Sequence, residues 1–434
     1  MNRHARRLSS LAASLAAVAS LSLAGSAKAA DEAQQPENRQ QALGVAKTVD
    51  LPTEPERGQA MVSIEESCSP VAASERAALG GAVKACVETR PMKASSTVTA
   101  RTAEEADTVE ACDITKPGKW TWERTKGICL NGKEVTFTLS DEQGAVLGTA
   151  LIDVKSSMNL RYDSLTWNEL ITVKVTKVTN AVSNVNIKFD VDCTSSCSPT
   201  NNRPWTGTKT LGQGAEASGS VTYTSNVASG MRDNIRTKYH MYITATGTTP
   251  TKPNVSWELP YQANLRCDAE LTTPGCVFSD IRASLKYSLS DPKHAAASAA
   301  YSFAQGRLRD WAPLTRADGL NTANRKRTCE EGSSDPFVHM YDEVLGDTCD
   351  EFPFAGSLEG GTDGALCADI IPRYEDGAWW IYPARTDKPF TYEEPCVRAH
   401  VSGEANSSAG GKYGALVKSA RILDIEKYNV SVIE

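Results

Sequence analysis

The chain has 434 residues, 46 of them basic and 53 acidic, for a formal net charge of −7 at pH 7. That balance excludes a protein that grips nucleic acid through its whole surface, while leaving room for a local basic patch. The length allows two globular domains of ordinary size and a tail.

The chain opens with a positive start, Arg3, Arg6 and Arg7, then an apolar run over residues 11–24 and the small-x-small signal Ala27-Lys28-Ala29. This reads as a Sec signal peptide over residues 1–29, too short and too rich in Ala and Ser to stay in a membrane. Cleavage is expected near Ala29-Ala30, giving a secreted, extracellular protein. No later stretch approaches the roughly 20 apolar residues that a spanning helix needs. All 12 cysteines follow the signal, and an even number in an exported chain predicts disulfides. Local spacing suggests sequential pairs, Cys68 with Cys86, Cys112 with Cys129, Cys193 with Cys197, Cys267 with Cys276, Cys329 with Cys349, and Cys367 with Cys396, although spacing alone leaves the connectivity open. A zinc site is disfavoured, because no C-x-x-C occurs and there are only five histidines.

Residues 30–109 are rich in Ala, Glu, Gln, Thr and Ser and read as a low-complexity linker or pro-region, with a helix around residues 72–90. From Cys112 the texture changes. "EVTFTLSD", "AVLGTALIDVKS", "ELITVKVTKVT", "NVNIKFDVDC" and "KYHMYITATGT" alternate apolar and polar residues, with Gly, Asn and Ser clusters between them. Short alternating strands separated by turn signals predict an antiparallel β-sandwich over residues 110–284. Trp120, Trp122 and Trp167 are expected in its core. "DPKHAAASAAYSFAQGRLRDW" reads as a helix capped by Ser290 or Asp291. Arg316, Arg325, Lys326 and Arg327 then concentrate positive charge ahead of an acidic window, "GDTCDEFPFAGSLEGG".

That window, with "NRKRTC" before it and "GEANSSAGGKYGALVKSARILD" after it, resembles the NucA/NucB-type extracellular deoxyribonuclease domain. The family pattern is Asp-Glu-aromatic-Pro, here Asp350-Glu351-Phe352-Pro353, then Glu359-Gly360-Gly361, then Asn406 before a Gly-rich turn opening the last helix. The resemblance covers residues 285–434 and implies a small disulfide-bonded α+β nuclease domain, giving a mixed fold class overall. Two departures stand out. Thr348-Cys349 replaces the Asp-Arg that precedes Asp-Glu in the small, better-known members. An insertion bracketed by Cys367 and Cys396 suggests a disulfide-closed loop or hairpin, whose Trp379, Trp380 and Tyr382 are candidates for stacking on bases or for burial.

Phosphodiester hydrolysis needs an activated water, neutralisation of the phosphate and help for the leaving oxygen, and a divalent metal serves the last two. Hard cations take oxygen ligands. By resemblance the catalytic groups are Asp350, Glu351 and Glu359, and the metal ligands for Mg²⁺ or Mn²⁺ are Asp350, Glu359 and Asn406, with Glu404 a further possibility. Neighbouring residues on an extended strand face opposite ways, so only one of Asp350 and Glu351 is expected to meet a given phosphate. Arg325 and Lys326 are the expected phosphate contacts, ahead of Arg327 and Lys412. His339 and His400 fall at no motif position and read as surface residues. The implied activity is metal-dependent, non-specific endonucleolytic cleavage of DNA, with no membrane partner. Two alternatives remain: a non-catalytic matrix- or surface-binding protein whose nuclease-like domain has decayed, and a carboxylate-pair glycosidase, for which no opposed pair can be identified.

Overall fold

The computed structural model describes residues 41–50, 57–93, 117–245, 254–309, 311 and 313–434. The signal-peptide residues and Cys112 lie outside them. Alternation in the sequence becomes strand wherever the apolar set can be buried on one face. In the strand Gly127–Ser140, Val135, Phe137 and Leu139 are buried while the intervening Thr136 and Thr138 are half-buried. This strand pairs antiparallel with Val146–Asn159, which pairs with Thr166–Asn180, which pairs with Glu216–Ser225. A second sheet runs Lys209–Gly212, Asn184–Cys193, Thr237–Ala245, Asn254–Glu258. One apolar core joins the two sheets, with Phe137, Ile152 and Val173 from the first and Ile187, Phe189 and Met241 from the second. The result is sandwich-like, and Trp120, Trp122 and Trp167 are buried in it, as expected.

Residues 57–91 correct the linker reading. Arg57–Met61, Glu65–Pro70 and Lys84–Pro91 are strands of the first sheet. In place of the expected helix there is a short 3₁₀ turn, Ala77–Leu79, followed by strand. Ala85, Val87 and Thr89 are buried at period two against Gly127–Ser140, so tertiary pairing overrides the helix propensity of the Ala-rich stretch. Cys68 and Cys86 face each other across the ladder and are bonded. The pairs Cys193–Cys197, Cys267–Cys276, Cys329–Cys349 and Cys367–Cys396 also form as the spacing suggests. Cys129 is disulfide-bonded too.

A buried acid links the sheets. Glu169 has no exposure and accepts from the hydroxyls of Tyr223 on its own sheet (2.8 Å) and Tyr239 on the other (2.9 Å). Burial pushes its pKa up to about 7 from 4.5. The folded state therefore binds more protons than the unfolded one between those values, and stability falls as pH rises through that window. The shift corresponds to about 3 kcal/mol. Glu169→Gln is expected to gain stability relative to the wild type as pH rises from 4.5 to 7, with a constant difference above it; urea midpoints at pH 4.5, 6 and 8 check this.

The C-terminal part is a five-stranded mixed sheet with three helices. Its order is Gly44–Val45, Ala378–Pro383, Ala368–Glu375, Val397–Ser402, Asp347–Phe352. Helix α1 (Ala295–Phe303) lies on this sheet, and its run of alanines permits close approach. Helix α2 (Asn321–Cys329) is mostly exposed, and α3 (Gly403–Ser419) is capped by Ser402 Oγ, which accepts from Ala405 N at 3.2 Å. A second, three-stranded sheet sets Lys427–Ile433 between Ala283–Ser288 and Leu314–Thr315. The insertion forms a hairpin, Ala368–Glu375 with Ala378–Pro383, closed by Cys367–Cys396. The N-terminal segment is sewn into this region: Gly44–Val45 pairs with Trp380 and Ile381, and Val49 bridges Val432.

The expected border near residue 284 does not divide the described residues, which make one compact unit. Three arginines explain this. Arg124 donates to the carbonyls of Ala420 (2.6 Å) and Ile281 (2.6 Å) and to Glu426 (2.9 Å). Arg266 pairs with Asp268 and Glu426 and donates to Arg421 O. Arg421, just past α3, pairs with buried Asp268 and donates to the carbonyls of Tyr162 (2.8 Å) and Thr273 (2.6 Å). Its backbone is left-handed, φ 48°, a post-helical position usually given to glycine. An arginine stands there for what its side chain reaches.

Candidate active site

The strand Asp347–Phe352 is the edge of the five-stranded sheet. The Cys329–Cys349 disulfide ties it to the end of α2. Three helices then supply what surrounds its acids. From α1, the Tyr301 hydroxyl donates to Asp350 Oδ2 at 2.8 Å. From α2, Arg325 Nε lies 3.6 Å from Glu351 Oε1. From α3, Asn406 Nδ2 donates to Cys349 O (2.8 Å) and Thr348 Oγ1 (3.2 Å). That commits its nitrogen, and no donor among the described residues meets its oxygen. Tyr301 takes Asp350 one way and Arg325 takes Glu351 another, yet both acids line the same cavity of about 300 Å³. The expectation that only one of them faces the site is therefore corrected.

Asp350 and Glu351 are only 5% and 3% exposed. Tyr287, Tyr301, Phe354 and Tyr413 form an aromatic wall, with Tyr287–Tyr301 ring centroids 4.9 Å apart and Tyr301–Phe354 5.1 Å. An apolar surround disfavours charge. Burial first, and the charge of Glu351 second, push the Asp350 carboxyl up to about 7. Burial also raises Glu351, against the pull of Arg325. Glu351 Oε1 is buried without a hydrogen-bond partner.

The other sequence candidates lie elsewhere. Glu359 does not line the cavity; its carboxylate accepts from the backbone N–H of Thr315 at 2.8 Å. The Glu-Gly-Gly element is a folding device here. A Cβ on Gly360 would sit 2.2 Å from Phe354 O, and one on Gly361, at φ +77°, 2.2 Å from Asn324 Oδ1. Those glycines let the 353–361 loop fold back against α2, where Asn324 Nδ2 donates to Ala355 O at 2.9 Å. Lys326 pairs with Glu331 at the surface, and Glu404 is exposed. Neither these residues nor Arg327 line the cavity, and Lys412 instead sits over the Tyr287 ring. His400 is buried rather than on the surface, its Nδ1 2.8 Å from Asp347 Oδ2, and His339 Nδ1 is 3.0 Å from Asp347 O. Trp379 donates to Leu289 O and Tyr382 to Glu375, away from the acids. Asn406 lies inside α3, and the glycines after it continue that helix instead of forming a turn.

Tyr301 and Tyr287 are site residues that the motif reading passes over. The one signal for Tyr301 is an aromatic hydroxyl inside an otherwise alanine-rich helix. The site has no histidine and no free thiol. Cys329, Cys349 and Glu351 cluster within 4.8 Å, as do Glu66, Cys68 and Cys86, but every one of those sulfurs is spent in a disulfide. What remains is the buried carboxyls of Asp350 and Glu351, the exposed carboxyl of Glu330, the side-chain amides of Asn406 and Asn321 and the Arg325 guanidinium, a set able to hold a hard cation, accept a proton and face an anion. No described helix is long and apolar enough to cross a membrane.

No family model and no curated protein matches the chain. Among solved structures, E. coli alpha-2-macroglobulin in its native conformation aligns with 38% of this chain and 11% of its own, at 8% identity and a TM-score of 0.18, too slight a likeness to argue from.

Proposed function

We propose that the chain is a secreted, metal-dependent endonuclease that hydrolyses DNA phosphodiesters with little sequence preference. The observation that carries this reading is the convergence of Asp350, Glu351, Asn406 and Arg325 on one cavity, three of them motif positions of the deoxyribonuclease family the sequence resembles. Export follows from the N-terminal signal and fits the disulfides. The donors suit a hard divalent cation such as Mg²⁺ or Mn²⁺. Glu351 Oε1 accepts no hydrogen bond, the amide oxygen of Asn406 is unspent, and Glu351, held toward its protonated form by burial, would give up its proton to a cation. Glu351 and Asn406 would hold that ion, which would supply charge neutralisation at the phosphate.

The protein's own groups divide the remaining work. Asp350, a buried carboxyl lining the same cavity, is suited to take a proton from the attacking water. Tyr301 fixes its orientation through the 2.8 Å hydrogen bond. Arg325, half exposed at the rim, pairs with the substrate phosphate without reading bases. Glu359 has no part beyond holding the loop. The purified full chain is expected to nick supercoiled plasmid with Mg²⁺ or Mn²⁺ and to stop when chelator is added. Plasmid left intact under every divalent metal tried would refute the reading.

A further inference from the structure

A second cavity, of about 960 Å³, adjoins the acidic one. The two share Asn321, Gly356, Gly410 and Tyr413 in their walls, so they adjoin. One side of the larger part is α3 and the loop beginning at Arg316. The other side belongs to the sandwich: Tyr162 and Asp163 from the turn after Val146–Asn159, and Leu271, Thr272 and Thr273 from the loop between Leu265–Asp268 and Gly275–Phe278. We infer that the two cavities act as one groove that seats the polynucleotide flanking the cleaved bond, so that the sandwich is part of the substrate-binding surface. The inference rests on the nuclease reading above and extends it to a second region of the chain.

The wall is rigid enough for that task. The Cys267–Cys276 disulfide closes the base of the 269–274 loop. Gly275 packs so near the neighbouring turn that a Cβ there would lie 2.0 Å from Tyr162 O. Arg421, at the end of α3, donates to both Tyr162 O and Thr273 O, so one side chain spaces the two sandwich segments from the helix opposite. Tyr413 spans both cavities, its hydroxyl donating to Gly356 O at 3.0 Å. On α3, Gly410 and Gly414 have open space where a Cβ would project, leaving room for a backbone to approach the helix. Arg325, the guanidinium lining the acidic cavity beside Glu351, marks where the reacting phosphate belongs.

The chemistry favours a strand of nucleotides over a compact ligand. Tyr162 is 44% exposed in the wall and offers a stacking face that tolerates any base. The two acids of the larger cavity are paired with neighbours, Asp163 with Arg161 and Asp318 with Arg316, whereas Lys418 makes no ion pair among the described residues. An anionic chain therefore meets no unbalanced negative charge along the larger cavity.

Binding of a labelled DNA duplex in chelator, and cleavage of DNA and of bis(p-nitrophenyl) phosphate with Mn²⁺, test the inference on the full chain. Tyr162→Ala and Thr272→Glu are each expected to weaken duplex binding and raise KM for DNA about fivefold or more, on the scale of one lost stacking contact or one added repulsion. The ratio of DNA to small-diester kcat/KM falls by the same factor. Thr272→Lys shifts both in the opposite direction, and the Thr272 effects shrink as salt is raised. Tyr261→Ala, an 85% exposed tyrosine elsewhere on the sandwich, moves neither. If the wild type cuts both substrates and all four variants bind and cut DNA as it does, the groove assignment is wrong and the cutting site stands. If the wild type cuts neither, both readings fall together.

Discussion

Asp350→Asn is expected to lower the initial rate of plasmid nicking by about a thousandfold, the size of effect seen when a positioned proton acceptor is removed. Asn preserves the shape of the side chain and can still accept from Tyr301, so the fold should survive, and a melting curve by circular dichroism verifies it. Because burial holds the carboxyl at about 7, the neutral amide costs the folded state nothing, and the variant should melt no lower than the wild type at pH 8. Glu359→Gln is the informative contrast. Its retained oxygen still accepts from Thr315 N, so nicking should fall less than about threefold, within the effect expected of a residue outside the reacting groups. A comparable loss at both positions would mean that the site is centred on the loop and not on the strand.

Arg421→Gly is expected to destabilise the protein by about 3 kcal/mol, the low end for breaking a buried ion pair. The low end applies because Arg266 still faces Asp268 at 3.2 Å. The choice of glycine is deliberate: it relieves the left-handed backbone, so whatever stability is lost comes from the side chain. Equilibrium urea denaturation should show a lower midpoint with an unchanged slope. Asp268→Asn in the same background should recover part of the loss, since it removes a buried charge that has lost one of its two arginines. An Arg421→Gly chain as stable as the wild type would show that the arginines decorate the junction without holding it.

The strands of the sandwich are legible because burial on one face writes period two into the sequence, as Val135, Phe137 and Leu139 show. Disulfide pairs close in sequence are legible for a similar local reason: Cys267 and Cys276 end up opposite each other because a hairpin joins them. Residues 57–91 hide their strands under polar, alanine-rich composition, since what selects strand there is the exposed edge of a sheet encoded downstream. The motif acids point to the right segment, but the motif cannot say which of them meet. Glu359 is turned away by a backbone N–H at Thr315, 44 positions earlier. Tyr301 comes to Asp350 across 49 positions. Neither distance leaves a mark in local spacing, and the like-charged pair on adjacent strand positions shares a cavity only because two helices draw the side chains around it.

The thread of residues 44–49 through the C-terminal sheet bears on inheritance. A gene segment encoding only the acid-bearing third would leave the Ala378–Pro383 strand with a bare outer edge, an invitation to pair with other chains. Shuffling that third into a new protein would therefore require a substitute for a stretch encoded more than two hundred codons upstream. A recombinant that parts the two stretches is therefore expected to self-associate where the parent chain does not.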